Sequence, residues 1–586
     1  MQENYNDGRG FFMKKQASGS RNVLVVINPH SGDYSDYIRY IKPYLNNFGV
    51  PCREVDATGL TDMSVFGDCA LILIAHRGAL TCKARGEAVK AMEESVKNGT
   101  GLVSFDASVF CINGGSFGAA ANGSVSIADQ FSIPSNSHYI VSLHDKGESI
   151  SLFEKITVED TSRLSGSEVL VYAGETALLE AGTFGEGKVV KWNSCEWASH
   201  RVKGPVFGLD DLVWRSLVWA ARKPFVLQGM PPFMTMRVDD VWGSARSGMK
   251  EDPLYWVGIC NKYGLKPWLG LFINNMTPVS IDSVKRYVAD GGATVFPHAF
   301  AGYEKSVDGT LVIEDWIYFN HRERKDYCDD TMKLNAMRVE HWHNTTGLPI
   351  SKVALGHYYE TGTNALQYLL KWGCEYIGTH MNPGLPFQSE CQEKAHWVKG
   401  GPYRLYETEY YRAGTRPVYY ADYFKAEGCP GYNGQLFNCV IEIRDDKGYE
   451  WAPNNNVEDT IAHGVKQIRR SFDSMVLASL FTHESDYIQN ITPENWEKII
   501  RGVCEGIAAY KPIYVTTDDA CRYVRAIYNM KIDTAAVVDG MVSLVLSGDN
   551  DMPTKCYLFT EDNGTIESRL VDVPQVNGKA KTSIVL

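Results

Sequence analysis

The chain has no Cys-x-x-C pair, no run of lysines and arginines, and no apolar stretch long enough for a transmembrane helix. Each absence closes a class of function. Without paired cysteines, its 14 scattered cysteines form neither a zinc ribbon nor a dense disulfide framework. Those in apolar segments, Cys260, Cys374, Cys439 and Cys504, read as small buried side chains. A formal charge of −12 and the lack of a basic run disfavour a nucleic-acid partner, because phosphate needs a cationic surface. Nothing spans a bilayer as a helix, which takes about 20 apolar residues in a row. Residues 1–20 lack the apolar centre of a signal peptide, so the expectation is a cytoplasmic chain or a secreted one whose leader has been removed.

What is present is a globular chain of 586 residues, more than one hydrophobic core usually supports, so several domains are expected. After a polar leader, residues 1–20, the segment 21–225 alternates strand and helix. "NVLVVINP", "ALILIAHRG" and "LVSFDAS" are apolar strands, and "ARGEAVKAMEESVKNGTG" is a helix with a glycine stop. That alternation predicts a parallel sheet covered on both faces. Short strands around a glycine turn follow, "SEVLVYAGETALLEAGTFGEGKVVKW", and "LDDLVWRSLVWAARKPF" closes the unit as a helix. The segment resembles the flavodoxin-like, class I glutamine-amidotransferase-like fold. A nucleophile elbow would set Cys between glycines, whereas Cys111 lies between Phe110 and Ile112, so the domain reads as non-catalytic.

From residue 226 to 531 the pattern changes. Short apolar runs end in residues able to do chemistry: "FMTMRV" in Asp239-Asp240, "PWLGLFI" in Asn274-Asn275, "ATVFP" in His298, "SKVAL" in Gly356-His357-Tyr358, "CEYIG" in Thr379-His380, "MVLASLF" in Thr482-His483-Glu484. In a parallel barrel such strand ends converge on one mouth, where catalytic groups collect. Residues 532–586, with short strands and Asp/Asn/Gly turns, predict a small β domain.

Adjacent aspartates on a strand point to opposite faces, but at a strand end they can divide the labour: one holds a cation, the other takes a proton. Amide hydrolysis near neutral pH needs both, because a bound metal acidifies water and a carboxylate removes its proton. Paired aspartates also cap helices, the blander reading.

"MTMRVDDVW" resembles the first motif of the NodB-like polysaccharide deacetylases, with Val241 in place of the motif's glycine and Arg237 in place of an apolar residue. The resemblance covers roughly residues 230–530. It implies a distorted (β/α) barrel of the polysaccharide deacetylase type, with Asp239 as general base and Asp240 as metal ligand. "FPHAF" looks like the second motif, with His298 as a ligand. The family's second histidine falls at Gly302, so a substitute is needed, since two protein ligands make a poor zinc site. His321 in "IYFNHRERKDY" is the first choice and His357 the second, because "GHYYETGTNA" stands where the family's groove wall lies. "SLFTHESDYI" looks like the last motif and gives His483 the role of acid to the departing amine. Its alternative is a buried histidine bonded to Glu484 or Asp486.

The resemblance thus implies a metal-dependent hydrolase of the carbohydrate de-N-acetylase class, its divalent cation most simply Zn²⁺, removing N-acetyl groups from an amino-sugar glycan by attack of metal-bound water. Asp240, His298 and His321 hold the metal, and a backbone N–H near Tyr358 faces the oxyanion. The candidate substrate contacts are Arg237, His357, Tyr358 and the tyrosines of the Tyr/Arg-rich segment 402–424, namely Tyr403, Tyr410 and Tyr411. Two rivals remain open: an inactive carbohydrate-binding protein on the same fold, which the missing histidine at 302 favours, and a metal-independent glycosidase using two carboxylates.

Overall fold

The computed structural model describes residues 19–81, 85–199, 202–244, 251–302, 315–323, 325–381, 421–424 and 430–586. It is mixed α/β, with several sheets and helices. No helix among these residues is long and apolar enough to cross a membrane.

The N-terminal sheet has nine strands. Five of them, Cys52–Asp56, Val23–Ile27, Leu71–Ile74, Gly101–Ser104 and Gly187–Trp192, lie side by side in that order and parallel. The run Val23–Ile27 is apolar throughout because both faces are covered: Val23, Val25 and Ile27 enter one core, Leu24 and Val26 another. Beyond Gly187–Trp192 the sheet turns antiparallel, through Thr176–Phe184 and Glu168–Ala173 to the long pair Ala119–Ile133 and Glu148–Leu164. The all-parallel expectation therefore holds for only half the sheet. Long hairpins need no crossover helix, which is why no α-helix intervenes among the described residues between 119 and 209. Cys111 lies exposed on a 3-10 turn, Ala107–Gly114.

The central unit is built on parallel strands: β1 (Phe233–Val241), β2 (Pro267–Phe272), β3 (Thr294–Ala299), β4 (Val353–Ala354), β5 (Tyr376–Met381), β6 (Phe437–Ile443) and β7 (Ala478–His483). They form two sheets, β3-β2-β1-β7 and β4-β5-β6, the second extended by the antiparallel strand Ala421–Tyr423. No ladder joins the two sheets among the described residues, so a closed barrel is not what the pairing shows. Helix α1 (Val457–Asp473) carries the chain from β6 back to the start of β7.

The C-terminal strands begin earlier than expected, at Met530, and do not stand alone. Gly19–Ser20 pairs with Ala536 and Val537, and Phe225–Leu227 pairs with Tyr557–Phe559. The two resulting sheets share one apolar core, with Val226, Cys556 and Leu558 on one side and Ile532, Leu544 and Ile584 on the other.

A buried ionic cluster fastens the N-terminal unit to α1. His144 faces carboxylates with both ring nitrogens, Glu148 Oε2 at 2.9 Å and Asp211 Oδ2 at 3.0 Å. A carboxylate only accepts, so both nitrogens carry protons and the ring is an imidazolium. Asp211 Oδ1 also accepts from Arg470 Nη2 of α1 at 3.1 Å. Burial alone would lower the His144 pKa, but Asp211 outweighs it and the value rises to about 9.

Two outcomes follow. Replacing Asp211 by Asn strips a buried imidazolium and a buried guanidinium of their shared counter-charge, and should cost about 3–5 kcal/mol in chemical denaturation. A histidine raised from 6.5 to about 9 contributes stability in full below pH 6.5 and loses it as pH climbs through about 9. Wild-type stability should fall across that window, and the fall should flatten in Asp211→Asn.

Candidate active site

β1 runs through the centre of its sheet and is buried along its whole length. Its ladder to β2 is in register up to Val238, shifts, and resumes at Val241. Within that break Asp240 adopts φ +57°, a left-handed conformation rare for a residue with a side chain. The bulge cancels the alternation that would send neighbouring side chains to opposite faces, so both aspartates reach one pocket.

The two carboxylates are given opposite surroundings. Arg237, two residues back on the same strand and almost fully buried, clasps Asp239 with both arms of its guanidinium, Nε donating to Oδ1 at 2.8 Å and Nη2 to Oδ2. Nη1 donates to the Tyr359 hydroxyl and to Glu442 Oε2 at 3.3 Å. Burial would raise the Asp239 pKa, but Arg237 overcomes it and holds the group at about 2, ionised. Asp240 has no such partner. Its Oδ1 is buried without a hydrogen bond among the described residues. Burial pushes its pKa up to about 7, with Asp239 adding to the rise and His483 opposing it.

Around Asp240 Oδ1 stand two imidazoles, His298 Nε2 at 3.7 Å and His357 Nε2 at 3.6 Å. His298 donates from Nδ1 to the Leu355 carbonyl at 2.9 Å, which fixes the tautomer and turns Nε2 to the pocket. Burial lowers the pKa of both histidines, keeping them neutral as ligands must be. Asp240, His298 and His357 have donor atoms mutually within 4.8 Å, and they are the only group of three or more such side chains among the described residues. One carboxylate and two imidazoles suit a divalent transition metal, and an orphaned buried oxygen between neutral nitrogens fits a cation there.

His321 is not in this group. Its Nδ1 pairs with Glu360 Oε2 at 2.7 Å, and the Tyr358 ring lies between it and His357. The first and second choices for the substitute ligand are thereby exchanged, and His357 moves from the substrate contacts to the donor triad. Position 302 itself is closed to a ligand. A Cβ there would sit 1.9 Å from the Phe272 ring, so that position has no room for any side chain. Phe272 fills the space and also packs edge-on against His357 at 5.3 Å.

Two other expected substrate contacts change role. Arg237 is buried beneath Asp239 rather than open to a ligand. Tyr358 has both ring faces covered by imidazoles, at 4.1 and 4.3 Å, which leaves none for a sugar. Tyr403, Tyr410 and Tyr411 lie outside the described residues.

His483 ends β7 directly opposite Asp239. Its charge partner is neither Glu484 nor Asp486 but Glu450, Oε1 at 3.4 Å from Nδ1, itself held by the Tyr487 hydroxyl at 2.9 Å. Burial opposes protonation, yet Glu450, Asp240 and Asp239 together lift the His483 pKa to about 10. Glu484 turns away. It accepts from the backbone N–H of Trp242 and Gly243, each at 2.8 Å, and from the Trp256 indole at 2.9 Å, pinning the chain just after the aspartates.

Sequence reading missed Glu442, Glu450, Tyr359 and Phe272. Glu442 had a signal: the apolar run Leu436–Ile443 is interrupted by one acid and followed by Arg444, the mark of a buried strand with a polar task. Tyr359 and Glu450 had none.

One consequence is testable. Gly302→Ala should destabilise the fold by about 1–3 kcal/mol through overpacking. Combined with Phe272→Ala, which vacates the space, it should cost clearly less than the sum of the single changes in chemical denaturation.

No family model matches the chain, and no curated protein matches it. Among solved structures, the crystal structure of Agd3, described as a novel carbohydrate deacetylase, aligns over 97% of this chain and 100% of its own at 12% identity, with a TM-score of 0.53. A family 4 carbohydrate esterase from Streptomyces lividans, in complex with acetate, aligns over 49% of this chain and 91% of its own at 10% identity, TM-score 0.24. A 4-alpha-glucanotransferase from Thermococcus litoralis aligns over 50% and 40% at 11% identity, TM-score 0.30. The first shows a common fold across nearly the whole chain, and the other two add nothing to that.

Proposed function

We propose that this chain is a metal-dependent carbohydrate de-N-acetylase, a hydrolase that removes acetyl groups from an amino-sugar glycan. In this reading the two central sheets are halves of one distorted barrel of the polysaccharide deacetylase type, spanning residues 226–531, and the amidotransferase-like unit at 21–225 has no catalytic part. The observation that carries it is the division of labour between neighbours: Asp239 ionised on Arg237, Asp240 an orphan among two neutral imidazoles. The whole-chain likeness of fold to a carbohydrate deacetylase supports the same choice.

Asp240, His298 and His357 would hold the cation, with zinc the simplest candidate for this donor set. When bound there, a divalent cation supplies Lewis acidity, polarising an acetamide carbonyl and acidifying water. The chain's own groups do the rest. Asp239 stays anionic at neutral pH and accepts a proton from water, its position fixed by Arg237 at some cost in basicity. His483, protonated through its pairing with Glu450, donates to the departing amine as the C–N bond breaks, releasing acetate and a free amino sugar.

The direct test is acetate release from a panel of N-acetylated glycans, with wild type beside Asp240→Ala. Wild type should release acetate, lose activity on dialysis against a chelator and regain it with Zn²⁺. The variant should retain neither metal nor activity, and unchanged turnover would remove Asp240 from the chemistry. A second measurement addresses the acid. His483→Gln should lower kcat by about 10²–10⁴. Glu450→Gln removes the charge that raises the His483 pKa, so the alkaline limb of the kcat profile should move to lower pH. An unmoved limb would rule His483 out as the proton donor.

A further inference from the structure

The two imidazoles of the donor triad are held in different ways. His298 rides on a β-strand and is oriented by its Nδ1–H on the Leu355 carbonyl. His357 sits on a short 3-10 turn, His357–Tyr359, and its Nδ1 is buried with no hydrogen-bond partner among the described residues. A metal-binding histidine ordinarily donates its second N–H to a fixed acceptor, which sets tautomer and ring angle. Here that means of orientation is absent from the described surroundings, so ring packing must supply it.

The packing is continuous. Tyr358 stacks on His357 with centroids 4.1 Å apart and planes 23° from parallel. His321 stacks on the opposite face of Tyr358 at 4.3 Å and 19°. Trp316 lies against His321 at 5.3 Å, and the buried carboxylate of Glu360 accepts from His321 Nδ1 at 2.7 Å. The turn itself is strained: Tyr358 and Tyr359 are consecutive left-handed residues, at φ +57° and +60°. Such a conformation costs of order 1–3 kcal/mol per residue and persists only where its surroundings impose it.

We propose that His321 and Tyr358 are positioning residues for the cation site: anchored by Glu360, they form a stacked column that aims His357 Nε2 at Asp240 in place of the missing hydrogen bond. The proposal rests on reading Asp240, His298 and His357 as cation ligands. The column carries no charge to the metal. It narrows the angular freedom of one ligand, which is the entropic cost of ligation.

The experiment is calorimetric titration of chelator-stripped protein with Zn²⁺ alone, with no sugar present, alongside thermal melting of each stripped variant. His321→Ala and Tyr358→Gly should each weaken zinc binding by about 10- to 100-fold, the range seen when groups that orient a metal ligand are lost. Tyr358→Gly should melt close to wild type, whereas His321→Ala removes the imidazole paired with the buried Glu360 carboxylate and should melt lower, so the positioning effect is read first from Tyr358→Gly. Tyr358→Gly is informative because glycine tolerates φ +57°, so the backbone is relieved while the stack is lost. Tyr358→Phe keeps the ring and should bind as wild type does. His357→Ala separates the two readings. If it loses zinc while His321→Ala and Tyr358→Gly bind as tightly as wild type, the column has no positioning role and the cation site stands. If His357→Ala itself binds as wild type does, or wild type takes up no zinc, the cation reading fails and takes the column with it. Weakening by Tyr358→Phe equal to that by Tyr358→Gly would overturn the stacking argument in favour of the hydroxyl.

Discussion

Two adjacent carboxylates cannot both be charged in a buried pocket unless each has a counter-charge of its own. That constraint organises the site. Arg237 gives Nε and Nη2 to Asp239 and Nη1 to Tyr359 and Glu442, and so does not turn to Asp240. Asp240 is therefore left with a choice between a proton and a cation, and the neutral imidazoles beside it favour the cation. The bulge in β1 matters for the same reason. Without the left-handed residue at 240 the second aspartate would point to the far side of the sheet, and the pocket would hold one acid.

The burial of Arg237 has to be justified elsewhere in the fold. A guanidinium needs acceptors on every side, and Glu442 near the end of β6 and the Tyr359 hydroxyl take the arm that Asp239 leaves, Nη1. The arginine thus ties together two central sheets that no backbone ladder joins among the described residues. Glu442 continues the chain of charge to Arg444, whose Nε donates to it at 2.9 Å. The placement of Asp239 is therefore inherited from the contact between the sheets.

Much of this was legible in the residues. Apolar runs that end in Asp239, His298 and His483 announced parallel strands converging at one mouth, because period and polarity at a strand end are local properties. The N-terminal parallel strands were legible for the same reason. What escaped was non-local. That position 302 has no room for a side chain depends on a phenylalanine ring thirty residues earlier, and that His357 rather than His321 faces Asp240 depends on a distant turn, and no pattern within either segment encodes it. The partner of His483 is set by a loop following β6 rather than by its neighbours in sequence, which is why Glu484 misled. Aromatic and charged residues between strands carry no periodicity, so their roles emerge only once the chain is folded.

The small C-terminal sheets bear on how the molecule is made. Their common core takes Val226 from the connection between the first two units, and residues 19–20 add an edge. During synthesis that connection emerges some three hundred residues before the strands that cover it. Val226 and its neighbours must wait, exposed, while the central unit is translated, a situation that invites association with other chains. The hairpins from Met530 onward therefore act as a clasp on a core whose first strand, Phe225–Leu227, lies about three hundred residues earlier.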